Sequence, residues 1–468
     1  MATMAASGGN SVKSVLIANR GEIALRVVRA CRAVGMRAIA VYSEADRHQP
    51  HVWAADEAVC IGPAPAASSY LSVERLLSAA QGTGADAIHP GYGFLAENAG
   101  FARACQQAGL VFIGPTPEII DLMGDKVRAR RAAKNAGVPV VPGTEDGFLL
   151  DQLTDARRLA GDIGYPLLLK AAAGGGGRGM RIVREEDAFE GEFRQAAREA
   201  EAAFGDGTVF VERYFERARH IEVQVLSDRH GNHIHLGERD CTLQRRHQKL
   251  MEESPSPALT DAQREEVCDM AVTLSRGLPY ENAGTVEFLF DTTTGKFHFI
   301  EMNTRIQVEH PVSELVTGVD IVAEQLRIAA GEPMSCAAGL PGGWGHAIEW
   351  RINAEDPGRD FMPSPGQVEQ WELPTSAAVR FDTHVYPGYR VPTHYDSLLG
   401  KLLVAGDNRE DALARSRRVL EAFKVRGVKT TIPFYLQLMD EADFAAGDVH
   451  TRWVDENIGR LNGGAKDH

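Results

Sequence analysis

Residues 284–311 read "GTVEFLFDTTTGKFHFIEMNTRIQVEHP". Two β-prone runs flank "DTTTG", so the stretch is expected to fold as a hairpin. A five-residue loop over 292–296 would pair Asp291 with Phe297 and set Glu287 directly across from Glu301. Opposed residues share one face of the ribbon. Two carboxylates about 5 Å apart repel by roughly 3 kcal/mol at an effective dielectric near 20. Protonation, a basic neighbour or a cation must offset that. Asn303 lies two residues on, on the same face. Two carboxylates and an amide oxygen are hard ligands suited to Mg²⁺, with nucleotide phosphate completing the shell. A carboxylate pair relieved by lysines would give the same pattern. Past the hairpin, Glu301, Asn303, Arg305, Gln307 and Glu309 take every second position. An extended chain through residue 309 would line all of them along one edge.

The chain has 468 residues, of which 44% are hydrophobic. That is enough for roughly three domains with sizeable cores. A formal net charge of -14 argues against a nucleic-acid or anionic-membrane partner, which would call for a basic surface. Cysteines stand at 31, 60, 105, 241, 268 and 336 with no CxxC spacing. They are expected to be reduced and mostly buried, so a zinc ribbon or redox pair is not expected. The opening "MATMAASGGNSVKS" lacks the apolar core of a signal peptide, and no run of 18 apolar residues occurs. Residues 1–12 are read as a disordered extension, and the location as cytoplasmic.

Between residues 13 and 124 strand-like runs ("SVLIA", "MRAIAVYS", "ADAIHP", "LVFIG") alternate with helical ones. That order predicts a parallel, Rossmann-like sheet. The first strand is followed by N-R-G-E, with one glycine, so the GxGxxG dinucleotide fingerprint is absent. Prolines 139 and 142 mark a linker, followed by a compact unit at about 143–214. A β-rich part runs to about 330, "GLPGGWG" is a second linker, and 345–455 is again β-rich with a helix near 408–424. The fold class is therefore α/β and α+β, multidomain.

Three further patterns carry chemistry. "PLLLKAAAGGGGRGMRIV" places five glycines between 174 and 179, between two strand-like runs. It is not a Walker A loop, but a glycine-rich tip exposes backbone N–H groups and approaches phosphate closely. A phosphate flap is expected there, with Lys170 as an ATP contact. "ERDCTLQRRHQK" concentrates Arg239, Arg245, Arg246, His247 and Lys249 in an acidic chain, which suits a local anion site. Arg–Glu pairs on a solvated strand would suit it equally. "HIEVQV" alternates His220, Glu222 and Gln224 against Ile221, Val223 and Val225, so one face is polar.

"IANRGEIALRV", "HPGYGFLAEN", "LMGDK", "KAAAGGGGRGM", "ERDCTLQRRHQK", "EMNTRIQVEHP" and "EWRINAEDP" occur in this order. Together they resemble biotin carboxylase, the ATP-grasp component of biotin-dependent carboxylases, over about residues 13–455. The resemblance implies an N-terminal biotin carboxylase domain over 13–124 and an ATP-grasp domain over 125–330, with a mobile lid at about 143–214. A β-rich C-terminal biotin carboxylase domain would span 345–455. It implies a ligase in which ATP phosphorylates bicarbonate to carboxyphosphate, and the CO₂ released carboxylates biotin. Lys126 and Lys170 would contact ATP, and Gly176 and Gly177 would cover its phosphates. Glu212, Arg213, Tyr214 and Phe215 would form the hinge around adenine, and His220, Gln244 and His247 would line the nucleotide site. Glu287, Glu301 and Asn303 would hold two Mg²⁺ ions, or Mn²⁺ in their place. Lys249, Arg305, Gln307 and the Val308 backbone would hold bicarbonate. Glu309 would be the general base, kept ionised by Arg305, and Arg351 would stabilise the enolate-like oxygen of biotin.

Phe215 replaces an aliphatic residue common in the family, "RARH" replaces "NPRH" and "ESPSP" replaces "EAPAP"; no charged catalytic group is lost. No Met-Lys-Met attachment motif occurs. The resemblance thus implies a biotin carboxyl carrier protein on a separate chain, carboxyltransferase subunits as further partners, and a homodimer. The enzyme served would be acetyl-CoA carboxylase. A pyruvate, other acyl-CoA or urea-like acceptor, another ATP-grasp ligase, and a non-catalytic ATP sensor are the competing readings.

Overall fold

A computed structural model describes residues 12–171, 180–336 and 338–462. The N-terminal part forms a parallel sheet of β1 (Ser14–Ile17), β2 (Arg37–Ser43), β3 (Glu57–Gly62), β4 (Ala87–His89) and β5 (Val111–Phe112) in the order β3-β2-β1-β4-β5. The short apolar runs become strands because both faces are covered by helices, as parallel sheets require. The edge strand β3 escapes the sequence reading, since its apolar run, residues 58–61, is only four residues long and most of the strand is half-exposed or exposed.

The next unit is a three-stranded antiparallel sheet in the order β7-β6-β8: β6 (Leu167–Ala171), β7 (Met180–Val183) and β8 (Val209–Arg213). Helices Leu153–Ile163 and Glu186–Phe204 close its core on Leu167, Leu169, Phe189 and Phe193. The glycine run joins β6 to β7. Gly176 and Gly177, expected to form the flap, lie outside the described residues.

The remainder is built on β9 (Ala218–Ser227), β10 (His233–Asp240), a ribbon of β11 (Gln244–Arg245) and β12 (Gln248–Lys249), β13 (Met251–Ser254), β14 (Asn282–Asp291), β15 (Lys296–Asn303) and β16 (His346–Asn353). Small pairs follow: β17 (Glu355–Asp356) with β18 (Met362–Pro363), and β19 (Gln370–Glu372) with β22 (Lys424–Arg426). β20 (Val379–Thr383) and β21 (Leu398–Gly406) complete an eight-stranded antiparallel sheet, β15-β14-β9-β10-β13-β16-β21-β20. The two β-rich parts separated in the sequence by "GLPGGWG" thus share one sheet, fused where Met251, Glu252, Glu253 and Ser254 pair with Trp350, Glu349, Ile348 and Ala347.

Period-2 alternation sorts the sheet's two faces. On β9, Ile221, Val223 and Val225 pack with Val267, Ala271 and Leu274 of helix Asp261–Gly277. On β16, Ile348, Trp350 and Ile352 pack with Val419 and Leu420 of helix Arg409–Ala422. The opposite face carries the charged residues, with helix His310–Thr317 laid over part of it through Val312 against Ala347 and Leu403. Five cysteines are buried and Cys60 is exposed; all are free thiols. Among the described residues, no helix is long and apolar enough to cross a membrane.

Candidate active site

The hairpin pairs Glu287 with Glu301 as the sequence predicts, by a different route. Asp291 pairs with Lys296, one residue short of the expected partner, so the loop is 292–295. A β-bulge between Glu287 and Phe288 then shifts the register back by one. β9 adds Glu222 opposite Glu287, and β10 adds Arg239 opposite Glu222. The result is one row across four strands: Arg239, Glu222, Glu287, Glu301.

Three carboxylates in a row must be neutralised, and the cations are present. Lys249 Nζ lies 2.6 Å from Glu222, 3.4 Å from Glu287 and 2.5 Å from Glu309, and 3.3 Å from Gln307 Oε1. Arg239, fully buried, donates Nε to Glu222 at 2.6 Å and its remaining nitrogens to Gln224, Ser313 and Thr285. His220 Nε2 lies 3.3 Å from Glu287 and 3.6 Å from Glu222. Burial, the largest influence, disfavours its charge, and Lys249 repels it, but Glu287 and Glu222 together outweigh both, and His220 is pushed up to about 9. Burial likewise opposes ionisation of Glu222 and Glu287, yet Lys249 with Arg239 on one, and Lys249 with His220 on the other, hold both well below the usual carboxylate range. His220, Glu222 and Glu287 place ligand atoms within 4.8 Å of one another, and in this structure Lys249 and Arg239 neutralise them. The cluster is an ion-pair network.

The extended strip expected through residue 309 ends at Asn303, the last residue of β15. Helix His310–Thr317 starts with Glu309 at its N-cap position and Pro311 in its first turn, which forces the chain to bend before it. The strip's side chains still converge. Asn303 Nδ2 and Gln307 Nε2 both donate to Glu287 Oε1, at 2.9 and 2.8 Å. Asn303 Oδ1 accepts from Arg305 Nη2 at 2.9 Å. Arg305 turns away from Glu309 and bonds Glu97 at 2.9 Å. The expectation that Arg305 keeps Glu309 ionised is therefore corrected, because the bend separates them. Glu309 instead sits between Lys249 at 2.5 Å and Arg351 Nη2 at 2.9 Å. Burial and Glu222 push its pKa up, while Lys249, Arg351 and Arg239 together pull it below the ordinary value.

Arg351 is on β16, far from Glu309 in sequence, yet the fused sheet brings them into contact. Its Nε donates to Glu252 of β13 at 2.6 Å. The Val308 carbonyl accepts from Lys401 Nζ at 3.0 Å, and Lys401, fully buried on β21, also lies 3.1 Å from Glu22. Lys249 is presented by the β11–β12 ribbon, whose turn residues Arg246 and His247 have φ of 48° and 64°. Such a turn normally takes Asn-Gly. Arg246 is held there by Asp360 at 3.0 Å, through its side chain, and by Asp455 at 3.3 Å, through its backbone N–H. Gln244 pairs with Lys249 and is buried, whereas His247 is exposed at the tip.

The residues expected to form the hinge, Glu212, Arg213, Tyr214 and Phe215, lie where β8 leaves the three-stranded unit. Glu212 is gripped by Lys170 and by Arg130, the latter at 2.5 Å. Arg213 and Tyr214 donate backbone N–H groups to Pro142 and Pro166. Phe215 stacks on His298 at 4.9 Å between ring centroids. Lys126 opens helix Lys126–Asn135 and acts electrostatically on Glu301, whose pKa burial and Glu287 raise. Among the described residues Glu301 makes no side-chain hydrogen bond, and it faces Glu287. This donor set fits a divalent cation, which would offset both burial and repulsion. Sequence reasoning missed Glu97, Arg130, Glu252 and Lys401 as site residues. Lys401 had a signal, a lone lysine inside the apolar run "LLGKLLVAG".

Comparison with known proteins fits this geometry. The families described as "Biotin carboxylase, N-terminal domain", "Carbamoyl-phosphate synthase L chain, ATP binding domain" and "Biotin carboxylase C-terminal domain" match residues 11–120, 125–337 and 349–456. Biotin carboxylase of Haemophilus influenzae is 50% identical over 448 residues, 96% of this chain and 99% of that protein. The chain belongs to the biotin carboxylase family. It is accordingly a ligase and the biotin carboxylase component of a biotin-dependent carboxylase. One subunit of the pyruvate carboxylase of Methanothermobacter thermautotrophicus is 50% identical over 442 residues, 94% of this chain and 89% of that one. The biotin carboxylase domain of the Hydrogenobacter thermophilus 2-oxoglutarate carboxylase, a dimer solved with MgADP, ADP and bicarbonate, matches with a TM-score of 0.88. That domain is 48% identical, covering 98% of this chain and 100% of that one.

Proposed function

We propose that the protein carboxylates biotin on a separate carrier protein, using ATP, Mg²⁺ and bicarbonate through carboxyphosphate, as the biotin carboxylase subunit of an acetyl-CoA carboxylase. The observation that carries the chemistry is Glu309, a buried carboxylate held ionised between Lys249 and Arg351. A base so placed accepts a proton from bicarbonate, while Lys249, Arg305, Gln307 and the Val308 N–H hold the anion. Lys126, Lys170, His220, Gln244 and His247 contact the nucleotide, the segment Glu212–Phe215 surrounds its adenine, and Gly176 and Gly177 close over the phosphates. Glu287, Glu301 and Asn303 hold Mg²⁺, which neutralises phosphate charge during transfer. Arg351 stays charged, because Glu252 and Glu309 outweigh its burial, and so meets charge developing on the biotin ureido oxygen.

The purified chain, assayed with ATP, Mg²⁺, bicarbonate and free biotin, is expected to form ADP and carboxybiotin together. ATP turnover indifferent to both bicarbonate and biotin would refute the reading. The dimeric 2-oxoglutarate carboxylase domain supports a homodimer here, which sedimentation tests directly. A second acceptor reading, pyruvate, is favoured by the similarity to the Methanothermobacter pyruvate carboxylase. Pairing the chain with acetyl-CoA and pyruvate carboxyltransferases in turn separates the two.

A further inference from the structure

Behind the Arg351–Glu309 contact lie two more buried carboxyls, Glu252 on β13 and Glu349 on β16, paired directly across the strands. Both are fully buried. Glu252 Oε1 accepts from Arg351, while its Oε2 and both oxygens of Glu349 have no hydrogen-bond partner among the described residues. We propose that Glu252 is a positioning residue for Arg351 and that Glu349, beside it, is carried as a neutral, protonated carboxyl. The assignment rests on the biotin carboxylase reading.

A buried carboxylate without a donor is far costlier than the neutral acid, and two opposed carboxylates cannot both ionise cheaply. Among the described residues Glu349 has no donor, so it keeps the proton; burial and Glu252 raise its pKa. Glu252 has the guanidinium. Its contacts with Nε and Nη2 orient the Arg351 plane, while Glu309 takes Nη2 alone. Nη1 makes no hydrogen bond among the described residues, so it is the donor left for an incoming ureido oxygen. The groups that act on Glu252 are Arg351 and Glu349 from β16, Glu309 from the helix start and Lys249 from β12. Cys241 precedes β11, Tyr435 comes from helix Ile432–Leu438, and Lys401 of β21 acts through Glu349. Burial pushes Glu252 up to about 7 against the pull of Arg351, so its grip on the guanidinium changes in the working pH range.

Glu252→Gln mimics the protonated state. Carboxybiotin formation is measured for wild type and variant with ATP, Mg²⁺, bicarbonate and free biotin across pH. The wild-type to variant ratio should be near one at about pH 6 and rise to roughly tenfold by about pH 8, the rate value of one hydrogen bond to a charged group. ADP measured alongside should fall less than carboxybiotin. A ratio flat across pH, or parallel loss of the two products, overturns the positioning role. Infrared spectroscopy of the wild type tests the proton independently of any folding defect in the variant. A buried carboxylic-acid carbonyl band lost in Glu349→Gln supports it, and absence of that band from the wild type overturns it. A wild type that makes no carboxybiotin defeats the parent reading too, whereas a flat ratio in an active enzyme defeats this assignment alone.

Discussion

Replacing Arg351 by alanine tests how far the two halves of the reaction are separable. The sequence places Arg351 and Glu309 in different parts of the chain, but the structure puts Nη2 2.9 Å from Glu309. The substitution therefore touches the proposed base as well as the proposed biotin site. Lys249 remains at 2.5 Å, and it is the strongest influence holding Glu309 ionised against burial. Loss of one charge-assisted hydrogen bond out of two should cost about 1.5 kcal/mol, or roughly tenfold in bicarbonate-dependent ATP hydrolysis without biotin. Carboxybiotin formation also loses a donor to the developing oxyanion, worth about 10²–10³-fold more. With one cation gone, the Glu309 pKa rises, so the acid limb of the ATPase profile should move to higher pH. ADP and carboxybiotin are measured in parallel from pH 6 to 9, with circular dichroism confirming the fold. Equal loss of both products, or an unmoved acid limb, would refute the reasoning.

Lys249→Met strips the shared cation from Glu222, Glu287 and Glu309 and should destabilise the protein by about 3–5 kcal/mol at neutral pH. Those carboxylates have depressed pKa values, so the stabilisation exists above the unfolded value of about 4.3 and is lost as pH falls through the folded values; the gap in thermal midpoint should narrow on acidification. Glu301→Gln should raise the Mg²⁺ concentration for half-maximal ATPase by about tenfold, and an unchanged Mg²⁺ titration removes Glu301 from the metal site. Glu349→Gln should raise the thermal midpoint. A raised folded pKa means that stability is lost as pH rises above the unfolded value, so the gain should appear above about pH 4.3 and grow with pH.

What the sequence made legible was local. The Glu287–Glu301 pairing follows from alternation over a single hairpin, and it survived a turn misplaced by one residue only because the bulge compensates. The bend after Asn303 had a signal, Pro311 in "EHP", which suits a helix's first turn better than a strand. Contacts between distant segments were not legible. Arg305 finds Glu97 at 208 positions' separation, and Lys401 finds Val308 at 93. Periodicity reports which face a side chain takes, but not which strand lies next to it. Without the β9–β14 and β13–β16 registers, Glu222 and Glu252 are only polar residues on a strand.

Those registers explain why one sheet can serve both halves of the reaction. Glu287 and Glu301 stand at the β14–β15 edge, where a cation and phosphate would be held, and Arg351 stands across β13 on β16. Glu309 belongs to neither strand; it stands just before a helix lying on the same face and reaches Lys249 on one side and Arg351 on the other. Side chains anchored on paired strands keep their spacing without a loop having to close. The three-stranded unit carrying Lys170 is a separate sheet, joined to the large one on both sides: through the segment after Arg213, and through the stretch in which Val140 bridges Phe299 and Gly143 bridges Glu212. On the proposed reading, the groups assigned to proton and carboxyl transfer are spaced by one sheet, which is where a misplacement of about 1 Å would cost most.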